Sequence, residues 1–219
     1  MIGLIKKDVL FLKGYSKTVF LIVAMFGILG MTNNTTTSSA FYIPFIAVMM
    51  CLSTFNYDDY NKWDTYLLSM PVSRKTVVKS KYIFTIISFI IAIMIGIVVS
   101  LLITMVKGNL VVDTFIQDLG SELIYSFAGI AVFLSVMYPL MYKFGAEKGR
   151  IYLFVVVIVV MLIGGGIILL GKNLQIQIDM AELEHLFEQF WMILIPLLSA
   201  LFLYISYRIS YRIYQHKEF

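Results

Sequence analysis

The amino-acid sequence predicts an all-α integral membrane protein: six transmembrane helices, a short N-terminal interfacial helix, a cytoplasmic helix between spans two and three, and both termini in the cytoplasm. Three observations carry this prediction. The 219 residues are 60% hydrophobic and 14% charged, with a mean hydropathy of +0.90, whereas soluble domains average about 45–50% apolar and about 25% charged. Apolar runs recur six times, near the length of roughly 17–25 residues that a helix needs to cross the hydrocarbon core. Lysine and arginine gather in alternate loops, which is how orientation is written into a membrane chain.

Over residues 1–17, "MIGLIKKDVLFLKG" and its continuation, Ile2, Ile5, Val9 and Leu12 share one helical stripe beside Lys6, Lys13 and Lys17. Leu4 and Phe11 fall on the opposite side. One apolar side in lipid and the other against the spans satisfies both, with lysine stems snorkelling toward headgroups. The first two spans, about 18–32 and 40–55, are short and joined by "TNNTTTSS", so they form a hairpin. Overlapping sequons start at Asn33 and Asn34 in that loop. The third span, about 82–106, is long and rich in isoleucine; the others cover about 122–142, 151–170 and 190–207. Pro44, Pro139 and Pro196 lie in spans two, four and six, where each removes a backbone bond and can kink its helix. "GGG" at Gly164 to Gly166 sits mid-span with no lysine after it. It suits close helix approach or local weakening and is not a nucleotide loop.

Orientation is decided by 17 basic residues. With both ends inside, the cytoplasmic segments hold Lys6, Lys7, Lys13, Lys17, Lys62, Arg74, Lys75, Lys79, Lys81, Lys143, Lys148, Arg150, Arg208, Arg212 and Lys217. The outer loops keep only Lys107 and Lys172. Acidic residues lean outward, at Asp113, Asp118, Asp179, Glu182, Glu184 and Glu188. No linker, internal repeat or second domain interrupts residues 1–219.

Several function classes are excluded. The net charge of +4 is dispersed between hydrophobic spans and does not mark a nucleic-acid surface. The single cysteine, Cys51, cannot close an intrachain disulfide and reads as a small buried hydrophobe. The N-terminus lacks the ordered regions of a cleavable signal peptide. No G-x-x-x-x-G-K-[ST] loop occurs, and no nucleophile elbow. Glu182 and His185 stand one turn apart, but no second histidine is near; a closed metal site takes four ligands and a catalytic one three. Ser88, Ser100 and Ser135 read as hydrogen-bonded helix residues. The span interiors carry essentially no Asp, Glu, Lys, Arg or His, which argues against proton-coupled transport and ion conduction. An apolar or amphipathic cargo remains compatible. The chain itself is expected to be no enzyme and to bind no cofactor or metal.

The longest polar interruption is "DDYNKWDTYLLSMPVSRKTVVKSKY", within a region spanning residues 56–81 and its junction with span three. Asn56 or Asp58 can cap a helix, with Asp58 and Asp59 in its first turn favouring the positive end of the dipole. Tyr60, Trp63, Leu67 and Met70 recur at helical spacing. Pro71 stops or bends that helix and restricts Met70; Ser73 can cap a second one that feeds span three. Two uses fit: an interfacial helix on anionic headgroups, or a docking helix that presents aromatic anchors to a cytoplasmic partner.

This layout resembles bacterial ABC-2 type transporter permeases. Trp63, Leu67, Leu68, Ser69, Met70, Pro71, Val72, Ser73 and Arg74 match a recurrent pattern of an aromatic, a leucine pair and "sLPvsR", with Met70 in place of the usual leucine. The likeness covers the whole chain in layout and about 25 residues in motif. The nearest branch resembles the membrane subunits of phenol-soluble-modulin and antimicrobial-peptide exporters. The resemblance implies a single transmembrane domain over 1–219 in a bacterial cell membrane, paired with a second permease copy as a homodimer, or with a paralogue. It implies a separate cytoplasmic ABC ATPase that binds ATP and Mg2+. Asp59, Tyr60, Trp63, Leu67, Met70, Pro71, Ser73 and Arg74 would form the coupling helix contact, and Lys143, Glu147 and Arg150 of "KFGAEKGR" a secondary one. The cargo would be amphipathic or hydrophobic, such as peptides or toxins. The alternative is a non-transporting membrane scaffold or sensor whose basic loops bind lipid or a partner.

Overall fold

A computed structural model of the chain describes residues 1–32, 39–108, 112–173 and 180–217. Among these it is helical throughout: α1 (Ile2–Gly14), α2 (Ser16–Thr32), α3 (Ser39–Tyr60), α4 (Trp63–Leu68), α5 (Arg74–Lys107), α6 (Val112–Phe144), α7 (Ala146–Asn173) and α8 (Met180–Gln215). The six apolar runs fall in α2, α3, α5, α6, α7 and α8. By length and composition, α5, α6 and α8 can each cross a membrane, and α1 with α2 forms a further candidate bent by 63°. The described residues therefore give three candidate spans, or four with that bent pair. The sequons at Asn33 and Asn34, and Asp179, lie outside the described residues, as do the side chains of Glu182 and His185.

Packing centres on two partnerships, α6 with α8 and α3 with α5, joined through α3 and α6. Their core is apolar at its middle and aromatic toward the lysine-rich end. There Phe55 meets Tyr138 at 5.2 Å and Tyr142 at 5.3 Å, and Tyr82 meets Tyr138 at 4.6 Å between ring centroids. The tilted and edge-on geometries are the ones ring quadrupoles favour. Hydroxyls stitch the same level. The Tyr82 hydroxyl pairs with Ser206 Oγ at 2.8 Å and Ser210 Oγ at 2.9 Å, and Thr85 pairs with Tyr138. These groups are buried, and each one's partner offsets the cost of leaving water.

The segment between the second and third apolar runs departs from expectation. Asp58 and Asp59 are not in the first turn of a separate helix; they sit in the last turn of α3, which continues to Tyr60. The break falls at Lys62, whose backbone is left-handed (φ 49°). Beyond it, α4 is a helix of only 6 residues. The reason is that both aspartates find partners elsewhere, Asp58 on two lysines and Asp59 on the Ala146 backbone N–H, so neither is left to cap. Pro71 comes after the end of α4 and precedes Ser73, whose Oγ accepts the Thr76 N–H at 3.3 Å and caps α5. At the far end of α5, Gly108 (φ 69°) supplies the left-handed terminator.

Candidate functional site

The lysine-rich end of the bundle gathers α1, α4, the C-terminal ends of α3, α6 and α8, and the N-terminal ends of α5 and α7. Lys7 and Lys217 line the same small cavity there, so the beginning and the end of the chain lie together.

The first feature is a set of four charges, three of them buried and the fourth, Lys7, half-buried. Asp8 of α1 is 1% exposed and Lys81 of α5 is 6% exposed. Lys81 Nζ lies 2.9 Å from Asp8 Oδ1, 2.7 Å from Asp58 Oδ2 and 2.9 Å from Thr54 Oγ1. Lys7 completes the set with Asp58 and, at 3.3 Å, Asp8. Two cations face two anions, so the group is neutral, and each ammonium is ion-paired with both carboxylates. Such pairing is the condition under which charges tolerate burial. Lys7 Nζ also stands 4.7 Å from the Trp63 ring and Lys81 Nζ 5.1 Å from the Phe55 ring, both within cation–π range. Hence α1, α3 and α5 are fastened at one point.

The second feature is a cleft of about 500 Å³ lined by Asn56, Asp59, Tyr60 and residues 144–148 and 150. It forms because Asp59 Oδ2 accepts the Ala146 backbone N–H at 2.6 Å, capping α7 from α3. The turn between α6 and α7 is tight. Gly145 has φ 83°, and a Cβ there would lie 3.2 Å from Asp59 Oδ2. A Cβ on Gly149 would meet the Met141 backbone at 3.2 Å. Tyr60 stands 88% exposed at the rim, with Glu147, Lys148 and Arg150 also exposed.

The third feature binds α4 and the start of α5 to the end of α8. Arg74 donates to the carbonyls of Tyr214 (3.3 Å), Gln215 and Lys217 (3.1 Å). A cation there complements the negative end of the helix. The Tyr214 hydroxyl donates to Asp64 Oδ1 at 3.0 Å, and Lys217 Nζ lies 3.6 Å from Asp64 Oδ2. Burial pushes the Asp64 carboxyl above the usual carboxylate range; Lys217 and the Tyr214 hydroxyl oppose the shift.

The residues expected from sequence thus divide. Asp59 and Tyr60 join Glu147 and Arg150 at one cleft, while Lys143 is exposed at the adjoining end of α6. Pro71 and Ser73 are exposed on the same end of the bundle. Leu67 is 3% exposed and packs into the core, with Trp63 and Met70 half-buried against it. The apolar stripe of α4 therefore faces the protein's own interior. The Trp63 indole N–H is buried and finds no partner among the described residues. Lys7, Asp8, Asp58 and Lys81 are not recognisable as a set in the sequence. One signal pointed to them: Asp8 is the only acid before Asp58, set in a helix of apolar and basic residues.

A family model described as ABC-2 family transporter protein matches residues 3–215. No curated protein and no solved structure matches the chain.

Proposed function

The chain belongs to the ABC-2 transporter family, and on that premise we propose that it is the membrane-spanning permease subunit of an ATP-driven exporter. Six spans place both termini in the cytoplasm of a bacterial cell, as the distribution of lysine and arginine supports. A second copy of the chain completes the permease. A separate ABC ATPase supplies ATP, Mg2+ and hydrolysis. The cargo is amphipathic or hydrophobic, peptides or toxins, drawn from the cytoplasm or inner leaflet; apolar span interiors support that class.

One observation carries the reading. Two segments far apart in sequence, the end of α3 and the turn between α6 and α7, meet at a single cleft through the Asp59–Ala146 bond. Tyr60 on its rim is an exposed aromatic anchor beside Glu147, Lys148 and Arg150, and aromatic and arginine residues dominate interface energetics. ATPase closure pushes on this cleft, on the exposed Tyr66 of α4 and on the exposed Pro71 beyond its end. The ionic cluster behind it passes the displacement to α1, α3 and α5 together, which tilts the spans and reshapes the path between the two copies.

The test is co-purification. The detergent-solubilised chain, co-expressed with its ATPase, retains a nucleotide-hydrolysing subunit, and Tyr60→Ala or Arg150→Glu releases it while the permease still folds. Retention at the wild-type level in both variants, or no ATPase on the wild type, refutes the reading and favours a non-transporting scaffold.

A further inference from the structure

We propose that this chain holds one acyl chain of a membrane lipid in a cavity between α5, α6 and α8. The cavity measures about 270 Å³, nearly twice the roughly 150 Å³ of an apolar cavity that stays dry and takes up benzene. Its α5 lining runs from Tyr82 to Ile93, which at 1.5 Å per residue is roughly 16 Å of helix. The site is therefore elongate. Its floor is set by Phe89, Ile130, Ala131 and Leu134, each under 8% exposed. Its mouth lies at Ile86 (47% exposed) and Ile90 (55% exposed).

Chemistry selects the occupant. Three hydroxyls border the cavity, and all three are already committed: Tyr82 to Ser206 and Ser210, Thr85 to Tyr138 and the Lys81 carbonyl. Among the described residues no charged side chain lines it. Water needs two to four polar partners to stay in such a space, and a ligand headgroup would find none. An α-helix is about 10–12 Å across, too broad for a slot of this size. A flexible hydrocarbon chain meets each constraint. The mouth supplies one: it opens on the face of α5 where Ile87, Ile91 and Met94 are also exposed, and α5 is long and apolar enough to lie across a bilayer. The surface round the opening is thus continuous with the acyl region of the membrane. The inference requires membrane insertion and is independent of transport or of the ATPase.

The probe is a stearic acid spin-labelled near its methyl end, added to the purified full-length chain in detergent and read by electron paramagnetic resonance. The wild type shows a motionally restricted component that unlabelled phospholipid competes away. Ala131→Phe fills the floor and weakens that binding by about tenfold or more. Ile90→Trp blocks the mouth without touching the floor and does the same, which keeps the test decisive if the first variant fails to fold. Three outcomes overturn the proposal: no restricted component in the wild type, undiminished binding in both variants, or disulfide cross-links between copies at Ile86→Cys or Ile90→Cys that show a second copy covering the mouth.

Discussion

Replacing Lys81 by methionine keeps an unbranched side chain, one atom shorter, and removes its charge. Lys81 Nζ has three oxygen partners within 2.9 Å, on Asp8, Asp58 and Thr54, and its side chain is 8% exposed. In Lys81→Met, two buried carboxylates are left with Lys7 alone, so the cluster carries one uncompensated negative charge. Removing one partner from a buried ion pair costs about 3–5 kcal/mol. For a chain of this size 1 kcal/mol corresponds to roughly 2–4 °C, so the unfolding midpoint should fall by about 6–20 °C. Adding Asp8→Asn restores neutrality, and the double variant should be more stable than Lys81→Met alone. The assay is thermal unfolding of the detergent-solubilised protein, followed by size-exclusion fluorescence, for the two single variants and the double. A loss under about 3 °C for Lys81→Met, or simple additivity in the double, would falsify the neutral-cluster account.

Other consequences are direct. Asp59→Ala removes the cap of α7 and should cost about 0.5–2 kcal/mol, read in the same unfolding assay. Gly145→Ala forces an alanine into φ 83° with its Cβ 3.2 Å from Asp59 Oδ2; a loss of about 1–2 kcal/mol is expected, and an unchanged midpoint would mean the turn relaxes freely. Asp64→Asn tests a pH dependence. Because burial raises the carboxyl of Asp64, its contribution is fully present below the ordinary carboxylate value and is lost as pH rises through the raised one. The asparagine variant should therefore be the more stable protein near neutrality. Its advantage should shrink as pH falls toward about 4; a gap that widens on acidification would contradict the sign.

Much of the architecture is legible in the sequence, because hydropathy and helical periodicity are local properties. Helices α2, α3, α5, α6, α7 and α8 contain the six apolar runs, and Ser73 caps α5 where the residue pattern puts a helix start. The features that were not legible depend on contacts between distant residues. The spacing of Tyr60, Trp63, Leu67 and Met70 reveals a stripe but not what covers it. The core turns out to bury Leu67, while Tyr60, before the Lys62 break, points away. Lys81 borders an apolar run and reads as a loop cation until Asp8, 73 positions earlier, is brought to it by the fold. Arg74 likewise looks available for a partner, yet its guanidinium serves the end of α8, 140 residues on.

These fastenings are unequal, and the inequality says where motion begins. Sliding α1 or α5 against α3 would separate buried ions, at about 3–5 kcal/mol for a broken pair. Parting α7 from α3 at the cleft would lose a helix cap worth about 1 kcal/mol. We therefore expect a push at the cleft to carry α1, α3 and α5 as one block and to open the joint with α7 first. The ratio of the losses in Lys81→Met and Asp59→Ala reads this ranking. If the two variants lose equally, the block has no stronger joint than its neighbour. A lever built from α3 would then have nothing rigid to turn against.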